Sequence, residues 1–84
     1  LKENLASKAI PYLEHAYQIT GNIPGINYLL ASFYLHGKNT EKVSRHLVLA
    51  LEAGRDLFSE YSDLFPEKLK TKPIKKLLSN YGLI

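Results

Sequence analysis

The sequence contains no cysteine. Disulfides, thiolate metal sites and a thiol nucleophile are therefore excluded, and the redox compartment is left open. Long apolar runs are missing as well. The hydrophobic stretches are far too short to cross a bilayer, and the opening LKENLASKAI mixes charge with apolar residues where a cleaved signal needs an unbroken apolar segment. Methionine does not occupy the first position, so the chain is expected to be a piece of a longer one, with any targeting signal lying outside it.

Catalytic patterns are lacking too. There is no Gly-rich phosphate loop, no G-x-S-x-G and no H-E-x-x-H. His15, His36 and His46 do not place two ligands one helical turn apart, so no metal site is expected, and no cofactor. Glu52 and Asp56 are one turn apart, but across Gly54, where a helix should stop; they read as solvated charges. No enzymatic activity is expected.

What remains is a chain of 84 residues, enough for one domain. At that size folding buries only about 60–65% of the surface that the unfolded chain exposes, so the core is thin. The formal charge of +3 is unevenly placed: PEKLKTKPIKK, residues 66–76, holds five lysines and one glutamate. Such a stretch suits either a solvated helix end or a contact with phosphate or an acidic partner.

Helix signals run the length of the chain, and no segment alternates with period two. Ser7 is a candidate N-cap for a first helix, which puts Pro11 at the fourth helical position, where proline costs little. Its apolar face is Ala9, Leu13, Ala16, Tyr17 and Ile19. TGNIPG interrupts it, and Pro24 suits the first position of a second helix that reaches His36, with Gly37 expected to end it in a left-handed conformation. Asn39 or Thr40 caps a third helix carrying Val43, Leu47, Ala50 and Leu51, closed by Gly54. A shorter fourth is expected from about Asp56 to Pro66, and a fifth from Pro73 to Gly82 with Ile74, Leu77, Leu78 and Tyr81 on one side. The fold class is all-α, with about five helices.

A repeat lies beneath this order. Ala9, Leu13 and Ala16 return 34 residues later as Val43, Leu47 and Ala50, and again as Leu77, Tyr81 and Ile84. Ile23 and Leu30 map in the same way onto Leu57 and Leu64. A period of this size fits two antiparallel helices and two turns, a unit that buries its apolar faces only against neighbours. Ala16, Ala31 and Ala50 are candidate points of close helix crossing.

At these residues the sequence resembles the tetratricopeptide repeat family, whose unit begins W-x2-L-G-x2-Y. Leu30, Ala31 and Tyr34 match L-G-x2-Y with Ala for Gly, and Val43, Leu47 and Ala50 match the second helix of the unit. Asn27 stands where the family has Trp, and Arg55 where it has its closing Pro. The resemblance divides the chain into residues 1–23, the second helix of an incomplete repeat; 24–57, a complete repeat; and 58–84, a degenerate third repeat acting as a cap.

The resemblance implies a superhelix of antiparallel pairs that works as a protein–protein interaction module or scaffold. A peptide or partner helix would lie on a concave face lined by first helices. On residues 25–36 that face would carry Tyr28, Ser32, Leu35 and His36, the first, second and last of these spaced as one stripe. Tyr28 and Ser32 carry no charge, which disfavours a clamp for a partner's C-terminal carboxylate. The first helix, with no predecessor, is expected to leave Leu13, Tyr17 and Ile19 uncovered and to pair two copies through them. The alternative is a small basic module contacting nucleic acid through residues 68–76. No aromatic side chain stands between Phe65 and Tyr81 to stack on bases, so nucleic acid is the weaker expectation.

Overall fold

The computed structural model describes the backbone of residues 3–21 and 23–84 and the side chains from Lys8 onward, residue 22 excepted. The fold is all-α, and no strand occurs among the described residues. Four helices have nine residues or more: α1 (Glu3–Thr20), α2 (Pro24–His36), α3 (Thr40–Gly54) and α5 (Lys72–Asn80). Between α3 and α5 the expected fourth helix is reduced to a single turn, α4 (Phe58–Tyr61), with 3₁₀ turns at Arg55–Leu57, Ser62–Leu64 and Glu67–Leu69. The cause is local. Pro66 disfavours a helical conformation at Phe65, which leaves the helical region at φ −119°, ψ 68°, and Ser62 turns its hydroxyl back to the Ser59 carbonyl.

α1, α2 and α3 pack side by side with short turns between them. The antiparallel sense of α2 and α3 is fixed at both ends. Tyr28, near the start of α2, donates its hydroxyl to the carbonyl of Gly54 at the end of α3 (2.8 Å). At the other end the Lys42 ammonium lies 5.1 Å above the ring of Tyr34. α2 touches both neighbours and holds much of the core: Tyr28, Leu30, Ala31, Tyr34 and Leu35 are buried. Val43, Leu47, Ala50 and Leu51 meet them from α3, and Ile74 and Leu78 of α5 are fully buried. Ala31 and Ala50 are thus buried as close-packing positions, while Ala16 is half-buried.

Two helix ends differ from expectation. α1 does not begin after Ser7; it already runs there, and the Ser7 side chain lies outside the described residues. Pro11 is therefore interior and has no N–H to give the carbonyl four residues earlier. The proline ring is exposed, so water can reach the carbonyl it leaves unpaired. At the end of α2 the left-handed residue is not Gly37 (φ −84°) but Lys38 (φ +61°). The helix ends at His36 as expected, and only the left-handed cap lies one residue later. Asn39 N–H then caps the Tyr34 carbonyl and Lys38 N–H the Leu35 carbonyl. The same paired cap ends α5, with Gly82 (φ +74°) in the left-handed place expected of it.

Both ends give measurable consequences. Pro11→Ala is expected to raise stability by about 1–3 kcal/mol in urea denaturation, the cost of an interior proline. No gain would place the helix start near Ser7 instead. Lys38→Gly is expected to add about 1 kcal/mol by relieving a left-handed lysine, and a loss of stability would contradict the cap described here.

Candidate functional site

Tyr28, Ser32 and Leu35 do not form an open stripe; they lie in the core, with Tyr28 and Ser32 fully buried and His36 half-buried. The short α4 segment explains the burial. It lays Tyr61 flat on Tyr28 (ring centroids 5.1 Å apart) and brings Phe58 against the same ring at 6.0 Å, with Phe65 behind Phe58 at 5.8 Å. A regular helix over these residues would have spaced the three aromatic side chains by its own pitch. The broken one lets all three fold onto α2. The Ser32 hydroxyl is spent on the Leu29 carbonyl (2.8 Å). Burial, with the Asp56 charge adding to it, holds the Tyr28 phenol above its ordinary range. The face expected to hold a partner is occupied by the chain itself.

The residues expected to pair two copies are divided by the structure. Leu13 and Tyr17 are partly buried against the core, together with Ile10, and only Ile19 points away. On α1 the outward side carries Lys8, Tyr12, His15 and Ile19, all exposed and spaced by four, three and four residues. Tyr12 is 79% exposed and Ile19 69%. Tyr12 was missed because attention to the repeat favoured the other side of the helix, although its spacing from Ile19 by two turns was there to be read. An open groove of about 590 Å³ adjoins the inner side, where Tyr17 meets Val48, Leu49 and Arg45 of α3.

Between α1, α2 and α3 lies a polar cluster that the sequence reading did not pick out. His46 of α3 is 4% exposed, and its Nδ1 stands 2.9 Å from Oδ1 of the fully buried Asn27 of α2. Its Nε2 is 3.6 Å from a carboxylate oxygen of Glu14 on α1. Tyr34 stacks on the imidazole (5.8 Å, 10°) and Tyr17 meets it edge-on (5.6 Å, 89°). One side chain therefore touches three helices. Burial pushes the His46 imidazole below its ordinary range, and Glu14 opposes that shift only in part. The signal available in the sequence was Asn27 at a position where the resembling family keeps a large aromatic.

The basic segment is partly neutralised. Glu67 contacts Lys70 at 3.5 Å and Lys75 at 3.2 Å, which holds its own carboxyl below the usual range. Among the described residues there is no group of three potential metal ligands, and no helix is long and apolar enough to cross a membrane.

Comparison with known proteins adds nothing to this list. No family model, curated protein or solved structure matches the chain.

The His46 cluster sets a pH dependence with a definite sign. A histidine whose folded pKa lies below its unfolded value near 6.5 makes the unfolded state bind more protons between the two. Stability is then full above about pH 6.5 and falls as the pH drops below it. His36, also lowered chiefly by burial, acts in the same direction. Urea midpoints from pH 8 to pH 5 should therefore decline on the acid side, and His46→Gln should make the decline shallower. An equal slope in that variant would remove His46 from the account.

Proposed function

We propose that this chain is a protein–protein interaction module built in the manner of a tetratricopeptide array, and that its binding surface is the outer side of α1. The observation that carries this reading is an apolar residue pattern on both sides of one helix. Ile10, Leu13 and Tyr17 serve the core, while Tyr12 and Ile19 stand uncovered on the opposite side. Lys8 and His15 share that outer side, so the uncovered apolar surface is a pair of large side chains two turns apart. At about 1.5 Å per residue, the 18 residues of α1 make a helix roughly 27 Å long. The 34-residue period and the antiparallel packing of α2 on α3 support the repeat architecture.

A second copy of the chain is the partner this stripe fits. Two α1 helices laid antiparallel would set Tyr12 of each against Ile19 of the other, with His15 and Ala16 near the two-fold axis, as closed symmetry requires. Leu13 and Tyr17 would contribute from inside, by holding α1 in place. The nucleic-acid alternative has less support, because Glu67 already engages two of the five lysines in residues 66–76.

A flank one helix long buries much less than the ~1,600 Å² of a standard interface, so the association is expected to be weak. Light scattering over a concentration series should show the mean mass rising from monomer toward dimer. Tyr12→Glu or Ile19→Glu should hold it at the monomer value with helicity unchanged, since neither side chain supports the core. A constant monomer mass for the unaltered chain at all concentrations would sink the homotypic contact.

A further inference from the structure

A second surface, independent of the α1 flank, lies where the turn joining α2 to α3 faces residues 63–69. A cleft of about 520 Å³ opens there, with His36, Lys38 and Lys68 around it and Leu64 and Leu69 among its walls. A smaller hollow of about 200 Å³ shares Lys38, Lys68 and Leu69, and reaches down to the buried side chains of Leu35 and Val43.

Two features of this cleft bear on what it can bind. The first is that its cations are not neutralised. Glu67 takes up Lys70 and Lys75 on the other side of the same turn, but among the described residues no carboxylate lies within ion-pair distance of Lys38 or Lys68. Asp63, also on the cleft, leaves the two lysines in excess. The second is that Lys38 adopts a left-handed backbone at φ +61°, a conformation that costs a lysine about 1 kcal/mol relative to glycine. A cation is thus carried in a place where the fold itself prefers a residue with no side chain.

We propose that this cleft binds an acidic peptide segment, whose carboxylates meet Lys38 and Lys68 and whose aliphatic side chain seats against Leu64 and Leu69. The ligand class follows from the mixture of groups. Two lysines on flexible stems suit separate carboxylates better than a single planar anion, for which a fixed guanidinium fork is the better match. The aliphatic walls reward a Leu or Ile side chain and offer nothing to a sugar. A single-stranded nucleic acid would need a row of aromatic rings on which successive bases stack, and no Phe, Tyr or Trp lines this cleft, only the His36 imidazole. His36, kept below its ordinary range chiefly by burial, can donate a hydrogen bond from its neutral ring to the same carboxylates.

The test is fluorescence polarisation of a short dye-labelled peptide of Glu and Asp residues around one Leu, titrated with the whole chain at low salt. Saturable binding is expected, weakened about tenfold by Lys68→Glu, in line with the loss of a charge-assisted contact. Lys38→Gly is the decisive variant. It removes the second cation while relieving the backbone, so a loss of binding in a protein at least as stable as the parent cannot be ascribed to unfolding. A matched peptide with Ser in place of Leu should bind more weakly, and a thymidine oligonucleotide should not compete. Binding unchanged in both lysine variants would overturn the proposal. So would equal binding of the Leu and Ser peptides, which would reduce the site to diffuse charge, or displacement of the peptide by the oligonucleotide.

Discussion

The fold depends on a buried histidine having a partner on every side. His46 sits where three helices meet, and each helix supplies one surface: the Glu14 carboxylate and Tyr17 edge from α1, the Asn27 amide and Tyr34 face from α2, and the backbone of α3 beneath. A buried polar group left without its partner costs about 1–3 kcal/mol, a large fraction of what a domain of this size has. Aliphatic side chains would hold α1 to its neighbours in several registers of nearly equal energy. The 2.9 Å hydrogen bond from His46 to Asn27 sets α3 against α2, and the Glu14 carboxylate at 3.6 Å with the Tyr17 edge seats α1 on the same imidazole. The cluster therefore fixes how α1 is rotated, and that rotation decides which residues of α1 face outward. Tyr12 and Ile19 are uncovered because Glu14 and Tyr17 are turned in.

A second constraint acts at the other side of α2. Tyr28 is anchored by its hydroxyl to Gly54 and is covered by Tyr61 and Phe58. Gly54 itself comes close to α2: a β-carbon there would meet Pro24 at 3.0 Å, and one at Gly25 would meet the Tyr61 hydroxyl at 2.8 Å. At both glycines the chain packs so closely that an added side chain would force a neighbour to shift. The aromatic side chains of α4 cover Tyr28, and exposed surface remains on the flank of α1 and at the turn after α2.

Much of this was legible in the sequence, because periodicity reports which side of a helix is apolar. The positions of α2, α3 and α5, the Asn39 cap and the Gly82 stop follow from spacing and from local backbone chemistry. The Asn39 carboxamide does accept from the Lys42 amide at 3.3 Å. The misreadings have a common cause. Residue preference alone points to Gly37 and Ser7, whereas the left-handed cap that satisfies the last carbonyls of α2 forms at Lys38, and α1 is already helical at Ser7. The stripe of Tyr28, Ser32 and Leu35 was assigned outward by analogy with a regular pair of helices. The break in α4 is local, at Ser62 and Pro66, but the contacts by which Tyr61 and Phe58 then cover Tyr28 are tertiary, and no pattern within α2 contains them. The His46 cluster brings to His46 residues of two other helices that lie 12 or more positions away, and only Asn27, polar among apolar neighbours, hints at it.

The C-terminal end shows how polar bonds can orient an element whose apolar contacts alone are few. α5 buries Ile74 and Leu78 but leaves Lys72, Lys75 and Lys76 exposed. Its far end is tied to the end of α3 twice: the Tyr81 hydroxyl donates to Glu52 (2.8 Å) and Arg55 donates to the Tyr81 carbonyl (2.9 Å). Its near end is tied by Glu67 reaching Lys75 across the turn. These contacts are exposed, and singly each is worth little. Together with two buried aliphatic side chains they leave α5 one orientation. Glu67 then faces Lys70 and Lys75, and Lys68, on the opposite side of the same turn, faces Lys38. Of the five lysines in residues 66–76, Glu67 thus takes up Lys70 and Lys75, while Lys68 is left on the cleft that it shares with Lys38.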